Sequence, residues 1–266
     1  MLKITDITSI FPESSALAFH AFADDDEEYV VRLKKVGKNA RRLFNEFVSA
    51  HLAQSLGLNR PSAEIVQVPR EIVLKLNTNE FALSDQLGVG TKYCRGCRHI
   101  KPPEPYDLSD SLFPQRNRKH LSHYTGDMEA LAQLYGYHVV TEWIQLADQQ
   151  KYENLLADGN GSILFLDFDM AFNGVDPTCT LSDYRWDKMC CTAPFLIGVL
   201  QDTTCFTPWV KKIMNLDESV YSECAAQLPQ EFAIERNFID DIGRYLFRNR
   251  EKFAEEIGLL NYDDLW

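Results

Sequence analysis

A short predicted hairpin between Asn154 and Asp167 is the feature that most limits how this chain can fold. Two apolar runs, 155–157 and 163–166, flank the turn residues 158–162, which are rich in Gly, Asn and Asp. This pattern is typical of two antiparallel strands joined by a tight turn. An amide oxygen and a carboxylate would then stand at the base of one hairpin. Oxygen ligands are those that Mg²⁺ prefers, so the hairpin predicts a magnesium site.

A second acidic residue, Asp148, lies just upstream of the hairpin. A carboxylate in that place can orient an attacking hydroxyl group. Asp167 follows an apolar strand, where a carboxylate is costly to bury unless something pairs with it. A bound cation is the natural partner. The set Asp148, Asn154 and Asp167 is therefore typical of a phosphoryl-transfer site.

The composition limits the classes of partner. A chain of 266 residues with 45% hydrophobic content can bury a sizeable core, as one large domain or two small lobes. Its 27 Lys and Arg against 39 Asp and Glu leave a formal net charge of −12. Such a charge disfavours binding to nucleic-acid phosphates or anionic lipids. We expect no direct nucleic-acid partner and no membrane association, since no segment approaches the roughly 20 apolar residues that span a bilayer.

The N-terminal residues and the cysteines predict a cytoplasmic protein. The first ten residues contain no long apolar run and no small-residue cleavage site, so no signal peptide is predicted. The seven cysteines are an odd number in a chain too long to need disulfides. Cys190 and Cys191 are adjacent and cannot easily pair with one another. These features favour a reducing compartment.

The first predicted strands lie in residues 15–35 and are joined by the acidic turn 24–28. Side chains alternate along a strand, so Arg32 and Lys34 share one face of the second strand. Either residue can supply the cation that a phosphoryl-transfer site places on the ATP phosphates. The alternative is that both belong to a solvated strand face.

The next predicted element is a helix over residues 39–57, with Gly57 as its C-terminal cap. Leu43, Phe47 and other apolar residues recur at helical spacing, which predicts one buried stripe with Glu46 at its edge. Glu46 can hold the strand cation in place. The alternative is an ordinary surface position on the helix.

The remaining elements are predicted from periodicity and from turn residues. Residues 64–68 predict a strand and residues 70–77 a short helix. Residues 84–126 show little periodicity and predict long loops that join two lobes. The pattern over 127–147 predicts a helix, and residues 182–266 predict mainly helical structure, ending in one long helix.

Four Cys and His side chains form a second candidate metal set. Cys94 and Cys97 precede His120 and His123, and two Cys with two His make a tetrahedral zinc set. A long irregular stretch separates the two motifs, so the alternative is that the cysteines are incidental.

Several runs together resemble the HipA-like kinases, particularly their short stand-alone members. These runs are Tyr29–Lys34, Asn45–Leu58 with Pro61 after it, Trp143 five residues before Asp148, Asn154-Leu-Leu, and Leu166–Phe172. The resemblance implies an α+β, two-lobed protein-kinase-like fold, related to that of the phosphoinositide kinases. A small β-rich N-lobe would occupy residues 1–100, and a larger, mainly helical C-lobe residues 101–266. The activity implied is transfer of phosphate from ATP, with Mg²⁺, to serine or threonine of a protein substrate.

The resemblance also implies roles for individual residues. Asp148 would be the catalytic carboxylate, and Asn154 and Asp167 would be the magnesium ligands. Glu46 would hold the strand cation.

Three positions depart from the family pattern. Arg32 stands where the family usually has lysine, and Lys34 could substitute for it. Gln149–Gln150 replace an arginine-containing pair, for which Lys151 could compensate. Asp169 replaces a glycine and could itself reach the metal. These departures motivate a second hypothesis, a degenerate kinase that binds nucleotide or an unidentified partner protein. A lipid or small-molecule kinase on the same fold is a third.

Overall fold

The computed structural model describes residues 1–11, 18–36, 38, 40–124, 128–146, 152–158, 160–172 and 193–259. Within these ranges the chain forms eight strands and eight helices. The strands are β1 (Leu2–Phe11), β2 (Ala18–Ala23), β3 (Glu28–Leu33), β4 (Ala63–Val68), β5 (Gln86–Lys92), β6 (Arg98–His99), β7 (Leu155–Ala157) and β8 (Ile163–Phe165). The helices are α1 (Arg41–Ser55), α2 (Arg70–Lys75), α3 (Phe113–Leu121), α4 (Met128–Trp143), α5 (Thr207–Asn215), α6 (Glu218–Ala226), α7 (Arg236–Arg248) and α8 (Arg250–Leu259).

Five strands close into an N-terminal barrel in the order β1-β2-β3-β5-β4. All neighbours are antiparallel except β1 and β4, which pair in parallel. Along β3 the alternation buries Tyr29, Val31 and Leu33 in the barrel core, so Arg32 points out of it. The predicted strands of residues 15–35 are confirmed, as are the strand over 64–68 and the short helix after it.

The prediction of long loops over residues 84–126 is wrong, because this segment contains β5, β6 and α3. Gly88 and Gly90 explain why β5 does not show strand periodicity. A Cβ atom at Gly88 would lie 2.5 Å from the backbone oxygen of Arg32, and one at Gly90 would lie 2.9 Å from Val66 Cγ1. The barrel can close at β5 only where side chains are missing, and the same glycines suggest a loop in the sequence.

The predicted hairpin is confirmed as β7 and β8, which pair antiparallel with Leu155 opposite Phe165. β6 pairs with the other side of β7, so the second sheet has the order β6-β7-β8. The chain therefore passes directly from the last barrel strand, β5, into the sheet that contains the hairpin.

Helix α1 confirms the predicted helix, and Gly57 after it has the positive φ of 83° expected of a C-terminal glycine. The expected edge position of Glu46 is wrong. Ten of the fifteen residues of α1 are buried, because β4, β5 and α6 all contact this helix. Glu46 is 1% exposed.

The C-terminal part of the described chain is mainly helical, as predicted. Helix α4 ends at Trp143, before the predicted end, and Gln145 after it has a φ of 51°. The predicted last long helix is two helices, α7 and α8, which are separated at Asn249. None of the helices in the described ranges is long and apolar enough to cross a membrane.

Candidate active site

Asp167 begins the candidate site, two residues after the end of β8. It has a φ of 60°, in the left-handed region that few residues other than glycine adopt. Such a conformation costs about 1–3 kcal/mol and persists only where the surroundings impose it. The backbone N–H of Leu166 donates to the backbone oxygen of Asn154 at 2.8 Å. Asn154 and Asp167 thus stand at the base of the hairpin, as predicted.

Arg32 extends from β3 of the barrel to this aspartate. Its Nη2 lies 3.0 Å from Asp167 Oδ1, and 135 positions separate the two residues in the sequence. Burial opposes the charged guanidinium, but the carboxylates of Asp167, Glu46 and Asp169 outweigh it and raise the pKa of Arg32. The structure thus places the predicted strand cation against the predicted metal-binding carboxylate.

Glu46 lies behind this pair and is held on both carboxylate oxygens. Oε1 accepts from Arg60 Nη2 at 2.8 Å and from Thr91 Oγ1 at 3.0 Å, and Oε2 accepts from the N–H of Phe168 at 2.8 Å. Burial favours the protonated form, but Arg60 and Arg32 outweigh it and lower the pKa of Glu46. Among the described contacts, the ion-pair partner of Glu46 is Arg60 and not Arg32.

Asp169 is also buried close to Asp167. Burial and the charge of Asp167 raise the pKa of Asp169 to about 7, against the attraction of Arg32. Arg42 Nη1 lies 3.7 Å from Asp169 Oδ2, and Asn45 Nδ2 donates to the Asp169 backbone oxygen at 3.1 Å.

Two carboxylates that repel one another fit a hard divalent cation, which would remove the repulsion. Asp167 and Asp169 would hold it together with the amide oxygen of Asn154. Within the described ranges no group of three or more His, Cys, Asp or Glu could hold a metal, so no third such residue joins these two carboxylates there. A magnesium ion there would neutralise charge on phosphate oxygens.

Other predicted site residues are not part of this arrangement. Lys34 Nζ lies 3.5 Å from the backbone oxygen of Phe232 and lines a cavity of about 470 Å³ whose lining includes neither Arg32 nor Asp167. Asp148, Gln149–Gln150 and Lys151 lie outside the described residues. Their roles stay predictions.

The candidate zinc set is not assembled: within the described ranges its four side chains form no metal-binding group, which favours the alternative that the cysteines are incidental. His120 Nε2 bonds the backbone oxygen of Lys101 at 2.7 Å, and His123 Nδ1 bonds the backbone oxygen of His120 at 3.2 Å. Burial and the neighbouring Cys97 raise the pKa of the Cys94 thiol to about 11.

Arg60 is the residue of the site that the sequence analysis missed. It lies between α1 and β4, and its side chain is 0% exposed. No periodic pattern or motif includes this position. The available signal was a single arginine in the short connection Leu58–Pro61 between two buried elements.

A family model matches the N-terminal part of the chain. Residues 4–121 match the model described as HipA-like kinase. The resemblance to the HipA-like kinases is thereby confirmed over these residues. The matched residues include Arg32, Glu46 and Arg60 and end before the hairpin. No curated protein sequence matches the chain significantly.

Solved structures with a similar fold are also kinases. A Helicobacter pylori proinflammatory kinase, CtkA, is similar with a TM-score of 0.58 and 11% identity, over 97% of this chain and 96% of that chain. The Golgi casein kinase has a TM-score of 0.55 and 11% identity, over 96% of this chain and 74% of that chain. A structure of the Golgi casein kinase with Mn/ADP bound has a TM-score of 0.50, with the same identity and coverage. At 11% identity these likenesses concern the fold alone.

Proposed function

We propose that this chain is a kinase that transfers the γ-phosphate of ATP, with Mg²⁺, to a serine or threonine hydroxyl of a protein. The barrel and the helical part would be the two lobes of a protein-kinase-like fold, with the predicted boundary between residues 100 and 101. The observation that carries the proposal is the Arg32–Asp167 pair at 3.0 Å. It joins a strand cation to a carboxylate with a strained backbone at the base of the hairpin.

Each residue would have a role that follows from its position. Arg32 would bind the phosphates, and Asn154, Asp167 and Asp169 would hold the metal ion. Asp148 would orient the acceptor hydroxyl and take its proton. The family match supports a kinase, and the Mn/ADP-bound structural relative supports the use of a nucleotide with a divalent metal.

Phosphate incorporation from labelled ATP tests the proposal. We expect the wild-type chain to label itself or a generic protein acceptor. Asp148→Ala and Asp167→Ala should each lower the rate by about 10²-fold or more. Asp241→Ala is the matched control, since Asp241 is an exposed aspartate that pairs with Arg244 on α7. Equal incorporation by all four proteins would contradict the proposal.

A second function, nucleotide binding without turnover, is favoured by the same ion pair. Arg32 covers one oxygen of Asp167, and its planar guanidinium directs hydrogen bonds differently from a lysine ammonium. Thermal shift with Mg-ATP separates the two functions. Stabilisation without phosphate incorporation supports the binding module, and no stabilisation contradicts both.

A further inference from the structure

The side chain of Arg60 lies entirely inside the protein, between α1 and the residue that follows Asp167. Its Nη2 bonds Glu46 Oε1 at 2.8 Å, and its Nε donates to the backbone oxygen of Pro61 at 3.2 Å. The guanidinium lies over the ring of Phe168, with Cζ 4.5 Å from the ring centroid. A planar guanidinium can also lie flat against a ring, which a lysine ammonium cannot do.

The contacts of Arg60 converge on Phe168. Arg60 holds one oxygen of Glu46, and the other oxygen accepts the backbone N–H of Phe168 at 2.8 Å. The same guanidinium covers the Phe168 ring. The Arg60–Glu46 unit therefore contacts both the backbone and the side chain of Phe168, whose backbone oxygen also accepts the N–H of Ala171 at 3.0 Å. Phe168 directly follows Asp167, whose backbone is in the left-handed conformation.

The loop that carries Arg60 is itself fastened to the hairpin and to α4. The N–H of Phe165, in β8, donates to the Asn59 backbone oxygen at 3.0 Å. The N–H of Asn59 donates to Gln133 Oε1 of α4 at 2.8 Å. Gln54 Nε2 donates to the Arg60 backbone oxygen at 3.3 Å. Arg60 thus acts from a fixed point relative to the strand that leads into Asp167.

Stability alone is a poor reason for this arrangement. A buried ion pair adds little to folding free energy compared with apolar residues of similar volume. Arg60 Nη1 is buried and has no hydrogen-bond partner among the described residues, which is a further penalty. An arrangement that is unfavourable for stability but holds its atoms in fixed directions is more often explained by the geometry that it imposes on a site.

We propose that Arg60 is a positioning residue for Asp167. Through Glu46 and Phe168 it imposes the left-handed backbone that directs the Asp167 carboxylate toward the metal and Arg32. The inference rests on the proposed function, in which Asp167 is a metal ligand. Without Arg60, the Phe168 ring loses the guanidinium above it and Glu46 loses its charged partner, so the restraint on the Asp167 backbone weakens.

Mn²⁺ binding in the presence of ADP tests this inference, with free Mn²⁺ measured by electron paramagnetic resonance. Arg60→Met should raise the Mn²⁺ Kd by about ten-fold or more, because a correctly held ligand is lost. Arg60→Lys keeps a charge beside Glu46 but lacks the planar guanidinium over Phe168. Its Mn²⁺ affinity should therefore lie between those of the wild-type chain and Arg60→Met. Arg236→Met removes an arginine of an exposed ion pair on α7 and should leave Mn²⁺ binding unchanged.

A double variant keeps the test valid if Arg60→Met fails to fold. Glu46→Gln/Arg60→Met leaves no buried charge uncompensated, so it should fold, but its Mn²⁺ affinity should stay low. Wild-type affinity in the double variant would overturn the inference and leave the proposed function standing. A wild-type chain that binds no Mn²⁺ with ADP and incorporates no phosphate would overturn the proposed function, and the inference with it.

Discussion

Two arginine–carboxylate pairs flank the segment Asp167–Phe168, and they differ mainly in exposure. In the Arg60–Glu46 pair the side chains are 0% and 1% exposed, with 2.8 Å between nitrogen and oxygen. In the Arg32–Asp167 pair they are 15% and 31% exposed, with 3.0 Å between the atoms. Each pair joins a guanidinium to a carboxylate, and of the two only the second is accessible to solvent.

The difference in exposure suggests a division of tasks. A pair closed to solvent cannot exchange its partner for a ligand, so it can serve only to hold geometry. A pair that is partly open can exchange its partner for a ligand. An incoming phosphate can bind Arg32, or a metal ion can bind Asp167, and little solvation is lost. Glu46 is therefore better placed to fix Phe168 than to touch a nucleotide.

The largest expected effect on stability follows from breaking the Arg60–Glu46 pair, which is closed to solvent. Arg60→Met should lower the free energy of unfolding by about 3–5 kcal/mol, because Glu46 would be left charged and buried without its partner. Urea denaturation measures this loss. Glu46→Gln/Arg60→Met should recover most of it, and equal losses in the single and double variants would show that the charge of Glu46 is not the cause.

Acid tests whether the Arg60–Glu46 pair stays ionised, once two other buried groups are accounted for. Burial lowers the pKa of His138 to about 4 from its ordinary value of 6.5. Between these values the unfolded chain binds a proton at His138 that the folded chain does not, so this group lowers stability by on the order of 3 kcal/mol as the pH falls from 6.5 to 4. Asp169, whose pKa is raised to about 7, has the opposite effect over the same range, because its folded form binds a proton that the unfolded form does not.

Glu46 is an acid, and its contribution to stability changes over a different pH range. Its pKa is lowered from 4.5, so the stability it contributes is present above 4.5 and lost only below that value. His138→Leu should therefore leave the Asp169 contribution unopposed, so that stability rises as the pH falls from 6.5 to 4.5, and should retain the loss at lower pH. Urea denaturation over this pH range measures both windows, and a slope above pH 4.5 that equals that of the wild-type chain would contradict the His138 contribution.

The Arg32–Asp167 pair, which is partly open to solvent, should contribute less to stability and more to activity than the Arg60–Glu46 pair. Arg32→Met should lower the free energy of unfolding by only about 1 kcal/mol, because Asp167 can be hydrated when its partner is removed. Phosphate incorporation should nevertheless fall by about ten-fold or more, since the cation on the phosphates is lost. A stability loss as large as that of Arg60→Met would remove the distinction between the two pairs.

The smallest effect is expected at a pair on the surface. Arg236 lies 3.0 Å from Asp240 on α7, and its side chain is 84% exposed. Arg236→Met should change the free energy of unfolding by no more than about 0.5 kcal/mol. A larger change would mean that exposure does not rank these pairs.

The sequence by itself determined the elements whose signals are local. The hairpin of Asn154 to Asp167, the strands around the acidic turn and the helix that ends at Gly57 all follow from residues a few positions apart. Strand alternation also placed Arg32 on the face opposite Tyr29, Val31 and Leu33, and the barrel shows that this face is the outer one. These predictions are confirmed because turn chemistry and periodicity depend on neighbours along the chain.

Only the tertiary structure decided how these elements meet. The contact of Arg32 with Asp167 spans 135 positions, and that of Phe168 with Glu46 spans 122. Neither the burial of Glu46 nor the place of Arg60 follows from a local pattern, because both depend on packing between distant segments. The glycines of β5 were misread for the same reason, since only the closed barrel shows which atoms require their missing side chains.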